Sequence, residues 1–339
     1  MQRSTSFFIA GLALGVLLTT GAFSLYVRSV NLGGGGGNGA LVLKLGHTLD
    51  ANHPVHLGML NMAERLAEKS GGTVELQVFP NAQLGTETEN IEQLQRGALA
   101  LSKVSTAPLE GFVPEMAIFS IPYVFRDSEH FWKVADGPIG KELLLAPESK
   151  GLRGICYYAA GSRSFYTISK PVLTPDDLIG QKIRTMRSKT SMDMVQAMGG
   201  APTPIPWGEL YTALQQKMVD GAENNPPSFY NSRHYEVAKH YSLDEHAMMP
   251  DILLASSTVW ERLPPQVRQW VQEAADESSI FQRELWRKMS DEALREVEKQ
   301  GVTIYRPEKA PFIESVAGMH RSYDGTPVGE LMRRIAEVR

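Results

Sequence analysis

The sequence has little cysteine, only one apolar run long enough to span a bilayer, and no marked excess of charge of either sign. Cys156 is the single cysteine, so an intramolecular disulfide and a cysteine-based zinc site are excluded. One spanning run excludes a polytopic membrane protein. The 34 basic and 38 acidic side chains give a net charge of −4, which argues against nucleic acid as the main partner.

Common catalytic motifs are also absent. The sequence contains no G-x-x-x-x-G-K-[ST], no G-x-S-x-G and no H-E-x-x-H. His47, His53 and His56 lie close together in the chain, but their spacing does not suit a metal-binding helix. We therefore predict neither a metal nor a cofactor. No particular pair of carboxylates is marked as an acid–base site.

Length and composition predict a folded protein of two domains. Hydrophobic residues make up 42% of the 339 residues, and aromatic and branched residues recur throughout the chain, which excludes disorder for most of it. Cys156 lies in the apolar stretch 154–158. This stretch predicts a buried strand with an inert core thiol.

The N-terminal residues have the pattern of a targeting segment. Arg3 precedes an apolar run over 7–27, and Arg28 and the glycine run 33–37 follow it. We assign residues 1–40 to a signal peptide or membrane anchor with a glycine-rich linker, which predicts export to the periplasm. No clear Ala-x-Ala site follows and the run is long, so cleavage and retention as an anchor both stay open.

The mature chain alternates strand and helix patterns. Strands are predicted over 41–45, 73–79, 99–104, 152–159, 165–169, 182–186, 250–258 and 302–306, and helices over 54–70, 87–96, 128–135, 139–145, 189–198, 206–218 and 265–300, with a terminal helix after them. This rhythm predicts an α/β fold with largely parallel sheets in two lobes, and a cleft where the chain crosses between them. Ligands of such sheets bind beyond the carboxyl ends of the strands.

Two arginines are candidates for holding a carboxylate. Arg184 lies at the end of a predicted strand, and Ser188 stands where an N-cap would open the next helix. A carboxylate there would meet a planar guanidinium and the amide donors of a helix N-terminus. Arg163 opens a strand nearby in the chain. The alternative for each arginine is a surface ion pair.

Other polar and aromatic side chains could recognise hydroxyl groups. Trp207 or Tyr211 could place an aromatic ring against sugar C–H bonds, although plain packing explains either residue equally well. Asn224 and Asn225 each offer a donor and an acceptor, or they only shape a turn before two prolines. Lys103, near the end of a predicted strand, adds a cation that could equally be solvated.

Several motifs together resemble the DctP family, the substrate-binding proteins of TRAP transporters. The resemblance covers about residues 41 to 335 and is carried by Arg163, Gly180–Arg184, Gly199–Pro204, Glu209–Tyr211, Leu214–Gln216, Val219–Asn224, Gln83–Gly85 and Ile121–Phe125, together with the long C-terminal helix.

The resemblance implies a two-lobe periplasmic binding protein fold, type II-like, with a cleft and a long helix bracing both lobes. The expected division is 41–160 and 250–288 for lobe I, and 161–249 and 289–339 for lobe II. Such proteins bind organic acids outside the inner membrane and deliver them to the small and large TRAP permease subunits. A monomeric receptor without enzymatic activity is therefore expected.

Residue by residue, Arg184 resembles the arginine that clamps the ligand carboxylate, Arg163 the second arginine and Asn224 the asparagine of the cleft. The segments 221–228, 234–236 and 244–246 resemble the uronate-binding branch, which implies galacturonate or glucuronate. We expect ligand hydroxyls to contact Asn224, Asn225 and, from the first lobe, His47, Glu87 and Lys103. Lys217 departs from the family, which often has glycine there, and must accept an awkward helix end.

Three alternatives stay open. The protein could bind another organic acid, such as a C4-dicarboxylate, a sialate-like sugar or an aromatic acid. It could act as a ligand sensor for a membrane signalling partner, which a retained N-terminal anchor would favour. It could also be a periplasmic enzyme acting on uronates, which would need an acid–base pair.

Overall fold

The structure, a computed structural model, describes residues 39–339. The predicted targeting segment therefore lies almost wholly outside the described residues. The strands are β1 Leu41–Gly46, β2 Val74–Phe79, β3 Leu101–Ser105, β4 Leu152–Tyr158, β5 Ser162–Thr167, β6 Lys182–Thr185, β7 Ala201–Pro204, β8 Gly221–Asn224, β9 His240–Met248, β10 Asp251–Ser256 and β11 Thr303–Tyr305.

Helices cover most of the remaining chain. The α-helices are α1 Pro54–Ser70, α2 Glu87–Gln95, α3 Thr106–Leu109, α4 Ser128–Ala135, α5 Pro138–Leu145, α6 Lys189–Ala197, α7 Leu210–Gln215, α8 Pro226–Asn231, α9 Ser257–Arg262, α10 Pro265–Lys299, α11 Ala310–Ser315, α12 Ala317–Arg321 and α13 Pro327–Glu337. Short 3-10 helices cover Pro114–Phe119, Ala146–Lys150, Pro175–Leu178, Trp207–Glu209 and His234–Glu236. None of the helices in 39–339 is both long and apolar enough to cross a membrane.

The first sheet has the strand order β2-β1-β3-β10-β4, and we call it, with the helices packed on it, lobe I. The strands β1, β2 and β3 pair in parallel, whereas β10 is antiparallel to both of its neighbours. The helical spacing of Val55, Met59, Met62 and Leu66 places all four on the buried face of α1. The prediction of an α/β lobe is confirmed, but its sheet is mixed rather than largely parallel.

The second sheet has the order β11-β9-β5-β8-β6-β7 and forms lobe II with its helices. Strands β6, β7 and β8 pair in parallel, and β5 is antiparallel to both β8 and β9. No strand was predicted for the segment of β9, because charged residues occur within it. Helix α7 and a preceding 3-10 turn replace the single helix predicted over 206–218.

The long helix predicted over 265–300 is confirmed as α10, which packs against α1 of lobe I and α8 of lobe II. It also supports the crossing from β4 to β5. The buried amide of Gln282 donates to the Ala159 carbonyl at 2.9 Å and accepts from the Ala159 N–H at 2.7 Å. Because Gln282 satisfies both backbone groups of Ala159, α10 holds the segment between β4 and β5 in place.

The C-terminal helix departs from the expected division of the lobes. Residues 289–339 were assigned to lobe II, yet Val328, Leu331 and Ile335 of α13 belong to a hydrophobic core of lobe I. Arg126 also donates to the Val338 carbonyl at 2.6 Å. The chain therefore returns to lobe I at its end, because the apolar face of this amphipathic helix is buried there.

Candidate functional site

A cavity between the lobes lies beyond the carboxyl ends of several strands, as expected for open α/β sheets. Its polar lining comes from both sheets: Thr48, Glu87, Lys103, Ser105 and Asp251 from lobe I, and Arg163, Arg184, Asn224, Asn225 and Ser228 from lobe II. An outer mouth of about 390 Å³ continues from it. Arg184, Glu87 and Trp207 line both the cavity and the mouth.

Arg184 is held by the backbone and has unused donors. Its Nε donates to the Ile205 carbonyl at 2.8 Å, while its buried Nη1 has no hydrogen-bond partner among residues 39–339. The side chain is 2% exposed, and burial lowers the pKa of its guanidinium, although arginine remains charged. A buried cation without a carboxylate partner costs free energy until an anion reaches it.

Arg163, by contrast, already has a carboxylate. Its Nε donates to Glu223 Oε2 and its Nη2 donates to Glu223 Oε1 at 3.0 Å, while Nη1 donates to Asn224 Oδ1 at 2.8 Å. Both partners of this ion pair are buried. Burial, the largest single cause, acts to raise the pKa of Glu223, but Arg163 and His246 together outweigh it and the pKa falls to about 2. The positive charge of Arg163 at the cavity wall is therefore neutralised by Glu223.

A buried histidine supports Glu223 from behind. His246 Nδ1 lies 2.8 Å from Asp244 Oδ2, and its Nε2 lies 3.5 Å from Glu223 Oε2. Burial disfavours the charged imidazole, yet these two carboxylates raise the pKa of His246 to about 9. Arg163, Glu223, His246 and Asp244 thus form an alternating row of charges inside lobe II.

The two asparagines present amides to the cavity. The Oδ1 of Asn224 accepts from Arg163 and, at 2.9 Å, from the Asn225 N–H. The Oδ1 of Asn225 accepts from the Ser228 N–H at 2.9 Å and caps α8. Because both oxygens are engaged with protein donors, the Nδ2 groups are the parts of these side chains left to donate to a ligand.

Lobe I contributes a lysine shared by two carboxylates. Lys103 Nζ lies 3.0 Å from Asp251 Oδ1 and 3.6 Å from Glu87 Oε1. The latter oxygen also accepts from the Ser105 N–H at 2.8 Å. Burial raises the pKa of Asp251, and Lys103 opposes this shift. The structure thus brings the predicted Lys103 and Glu87 together with an aspartate that was not predicted.

Trp207 forms a wall shared by the cavity and its mouth. The Arg184 guanidinium carbon lies 5.6 Å from the centre of the Trp207 ring, a cation–π arrangement. The ring is half-buried. The predicted Trp207 therefore lies beside the Arg184 guanidinium, which has no carboxylate partner among residues 39–339.

His47 lies behind the cavity wall rather than on it. Its Nδ1 accepts from the Leu49 N–H at 3.1 Å, so Nε2 carries the proton and donates to His56 Nδ1 at 2.9 Å. Burial, with Lys103 as the next cause, lowers the pKa of His47 to about 2. Both ring nitrogens are engaged within lobe I, so a direct contact between His47 and a ligand is not supported by its position.

Ser188 also lies outside the cavity. It caps α6 as predicted, since its Oγ accepts from the Ser191 N–H at 3.0 Å. However, the same hydroxyl donates to Glu110 of lobe I at 2.5 Å. A protein carboxylate thus occupies the helix terminus where a ligand carboxylate was expected.

Asp251, Glu223 and His246 were missed by the reasoning from sequence. Asp251 is the first residue of an apolar strand and follows Pro250. This position is the one sequence signal that could have marked it as a candidate, because an aspartate at the start of a buried strand needs a partner. Glu223 lies in the segment Val219–Asn224, which carries part of the family resemblance, but no role was predicted for its side chain. No group of histidine, cysteine, aspartate or glutamate in residues 39–339 has an arrangement that could hold a metal ion.

Comparison with known proteins places this geometry among binding proteins. The model of bacterial extracellular solute-binding protein family 7, DctP, matches residues 45–326. A curated relative, the C4-dicarboxylate-binding periplasmic protein DctP of Rhodobacter capsulatus, is 32% identical over 288 residues, which are 83% of this chain and 85% of the relative.

Two solved structures are similar over nearly their whole length. A TRAP periplasmic solute-binding protein of Bradyrhizobium sp. BTAi1, in complex with α/β-D-galacturonate, is 39% identical with a TM-score of 0.84, covering 86% of this chain and 98% of that one. One from Anaerococcus prevotii, with bound α/β-D-glucuronate, is 36% identical with a TM-score of 0.84, covering 87% and 98%. The similarity thus extends over both lobes.

Proposed function

The chain belongs to the DctP family of bacterial extracellular solute-binding proteins, and from this premise we propose that it captures a hexuronate, galacturonate or glucuronate, for a TRAP transporter. The ligand carboxylate pairs with Arg184, and its hydroxyls contact the amides of Asn224 and Asn225 and the lobe I polar groups Lys103, Glu87 and Asp251. No bond of the ligand is made or broken.

The observation that carries the proposal is the buried guanidinium of Arg184, which faces a cavity between two lobes and has no carboxylate partner among the described residues. Arginine presents two parallel N–H donors, which match the two oxygens of a carboxylate. Solved relatives with bound uronates support the choice of ligand class.

The proposed mechanism of capture is a population shift. With the lobes apart, the Arg184 guanidinium is hydrated, and pairing with the ligand carboxylate replaces that water. Because the ligand contacts both lobes only when they are together, its binding favours the closed arrangement. We propose that the loaded receptor then docks on the TRAP membrane subunits in the periplasm, as a monomer.

Isothermal titration calorimetry on purified Arg184→Gln tests the clamp with D-galacturonate and D-glucuronate. A hydrogen bond to a charged group contributes about 1.5–3 kcal/mol, so Kd should rise about tenfold to a hundredfold. The matched control is Arg187→Gln, an exposed arginine in the segment between β6 and α6 that lines only the mouth. Unchanged uronate affinity in Arg184→Gln would reject the proposal.

The stability of the ligand-free variant separates a lost clamp from a damaged fold. Removing a buried cation that lacks a carboxylate partner should leave the melting temperature of the ligand-free protein unchanged or higher. The ligand-induced rise in melting temperature should shrink in Arg184→Gln. A fall in both quantities would indicate misfolding, in which case Arg184→Lys, which keeps the charge but not the planar donors, provides the test.

A further inference from the structure

We propose that Glu87 and Asp251 form an acidic wall that admits ligands with one carboxylate and several hydroxyls and excludes dicarboxylates. The inference rests on the proposed function and adds a specificity rule to it. Asp251 becomes a specificity-determining residue, a role that nothing in the sequence pattern assigned to it.

The formal charges of the cavity are divided between the lobes. In lobe II, Glu223 neutralises Arg163, and His246 is paired with Asp244, so Arg184 leaves a net charge of +1. In lobe I, two carboxylates share the single ammonium of Lys103, which leaves a net charge of −1. A ligand in the cavity therefore meets a cation on one side and an anion on the other.

The hydrogen-bonding capacity of the acidic wall fits hydroxyl groups. One oxygen of each carboxylate faces Lys103. The other oxygens, Oε2 of Glu87 and Oδ2 of Asp251, have no hydrogen-bond donor among residues 39–339, and both residues line the cavity. Since an ionised carboxylate only accepts hydrogen bonds, its natural partner is a ligand O–H. Two such acceptors around one lysine suit hydroxyls on nearby carbons.

A second carboxylate on the ligand would meet the wrong charge. When one end of a dicarboxylate pairs with Arg184, the other end is directed towards lobe I and faces Glu87 and Asp251. Like charges in a site with little water repel strongly, and specificity often depends on such repulsion. Lys103 cannot offset this, because its single charge is already outnumbered by two carboxylates.

The exclusion of dicarboxylates by the acidic wall would distinguish the specificity of this chain from that of a relative named as a C4-dicarboxylate-binding protein. A receptor for dicarboxylates needs a second cationic or neutral donor group for the second carboxylate. Lobe I of this chain instead has a net negative charge opposite Arg184. The sugar acids found in the solved relatives carry one carboxylate and several hydroxyls.

The test compares D-galacturonate with galactarate, which carries a carboxylate at each end, and with succinate. The wild-type protein should bind galacturonate at least a hundredfold more tightly than either dicarboxylate. Asp251→Asn and Glu87→Gln should each weaken galacturonate binding about tenfold and reduce the ratio of the galactarate Kd to the galacturonate Kd at least tenfold. Glu64→Gln, at an exposed carboxylate of α1 that lines neither the cavity nor its mouth, should leave both values unchanged.

Equal affinity for galacturonate and galactarate, or a ratio that neither variant changes, would overturn the acidic wall. Glu87 is less buried than Asp251, so Glu87→Gln provides the test if Asp251→Asn fails to fold. D-erythronate, with one carboxylate and no sugar ring, separates the two proposals. If it binds and galacturonate does not, the uronate assignment fails but the acidic wall is supported. Absence of binding to every acid overturns both.

Discussion

The Ser188 hydroxyl of lobe II donates a hydrogen bond of 2.5 Å to the Glu110 carboxylate of lobe I. Glu110 also accepts from the Thr190 N–H at 3.2 Å and from the Thr190 hydroxyl at 2.8 Å. It thus places a negative charge at the N-terminus of α6, where the helix dipole favours it. We call these three residues the interlobe latch, and they stabilise the arrangement in which the lobes are together.

The latch should contribute to affinity without touching the ligand. Glu110→Gln removes the charge but keeps the shape, and we expect a loss of about 1–2 kcal/mol from the closed arrangement. Since apparent affinity falls with the population of the binding-competent state, the Kd for a uronate should rise about fivefold to thirtyfold, measured by calorimetry.

Small-angle X-ray scattering of the ligand-free protein checks the cause. Glu110→Gln should have a larger radius of gyration than the wild type, whereas Glu115→Gln, on the next 3-10 helix of the same lobe, should not. An unchanged Kd in Glu110→Gln would mean that the latch contributes nothing to closure.

How far the site could be predicted depends on where each partner lies in the chain. Arg184 could be predicted to lie at the cavity because a strand end followed by an N-cap is a local signal, and its pairing with a ligand carboxylate stays a proposal. Ser188 caps α6 as predicted, but its position does not support the expected ligand contact, because its hydroxyl donates to Glu110. Glu110 is distant in sequence, so no local pattern could indicate this partner. The same holds for Asp251, whose partner Lys103 lies on another strand.

The fold was predicted where hydrophobic periodicity is strong, as in α1 and α10. Strand β9 was missed because Asp244, Glu245 and His246 interrupt its apolar pattern. Burial of Asp244 and His246 is possible only because they pair with each other and with neighbouring groups of β5 and β8. Such compensation is tertiary, so periodicity could not detect it.

Lys217 should be replaceable by glycine with a gain in stability. It follows α7 with a φ of 55°, a conformation that costs an L-residue about 1–2 kcal/mol. After allowing for the greater chain entropy of glycine, Lys217→Gly should raise the free energy of unfolding by about 0.5–1 kcal/mol. Urea denaturation measures this change. Gln216→Gly, at the neighbouring position with a φ of −82°, should lower stability instead.

Deprotonation of His246 should make the protein less stable at alkaline pH. Its folded pKa of about 9 lies above the ordinary value of 6.5, so its stabilising contribution is complete below pH 6.5 and is lost as the pH rises through 9. Within this window the free energy of unfolding should fall by up to about 1.4 kcal/mol per pH unit. Denaturation between pH 6.5 and 9.5 should show this slope, and His246→Gln should flatten it.

NMR titration of the imidazole gives an independent check on His246. Its ring should stay protonated through neutral pH, whereas the buried and mutually bonded His47 should stay neutral. A His246 midpoint near 6.5 would contradict the role of Asp244 and Glu223 in holding the charge. In that case the alkaline slope would have another origin.

Trp207 should contribute to uronate affinity through its π face. The ring lies beside the guanidinium of Arg184, and it lines the cavity where a sugar would lie. Trp207→Leu keeps an apolar side chain but removes the aromatic face, which should cost about 1 kcal/mol of binding, or about fivefold in Kd. Trp207→Phe should retain part of this binding free energy, and the half-buried position makes the effect of either change on folding small.

Because Trp207 would contact the ligand, uronate should also change the tryptophan fluorescence, and this change should disappear in both variants. A fluorescence response that persists in Trp207→Leu, with unchanged Kd, would place the ring outside the binding site and leave Arg184 to act without it.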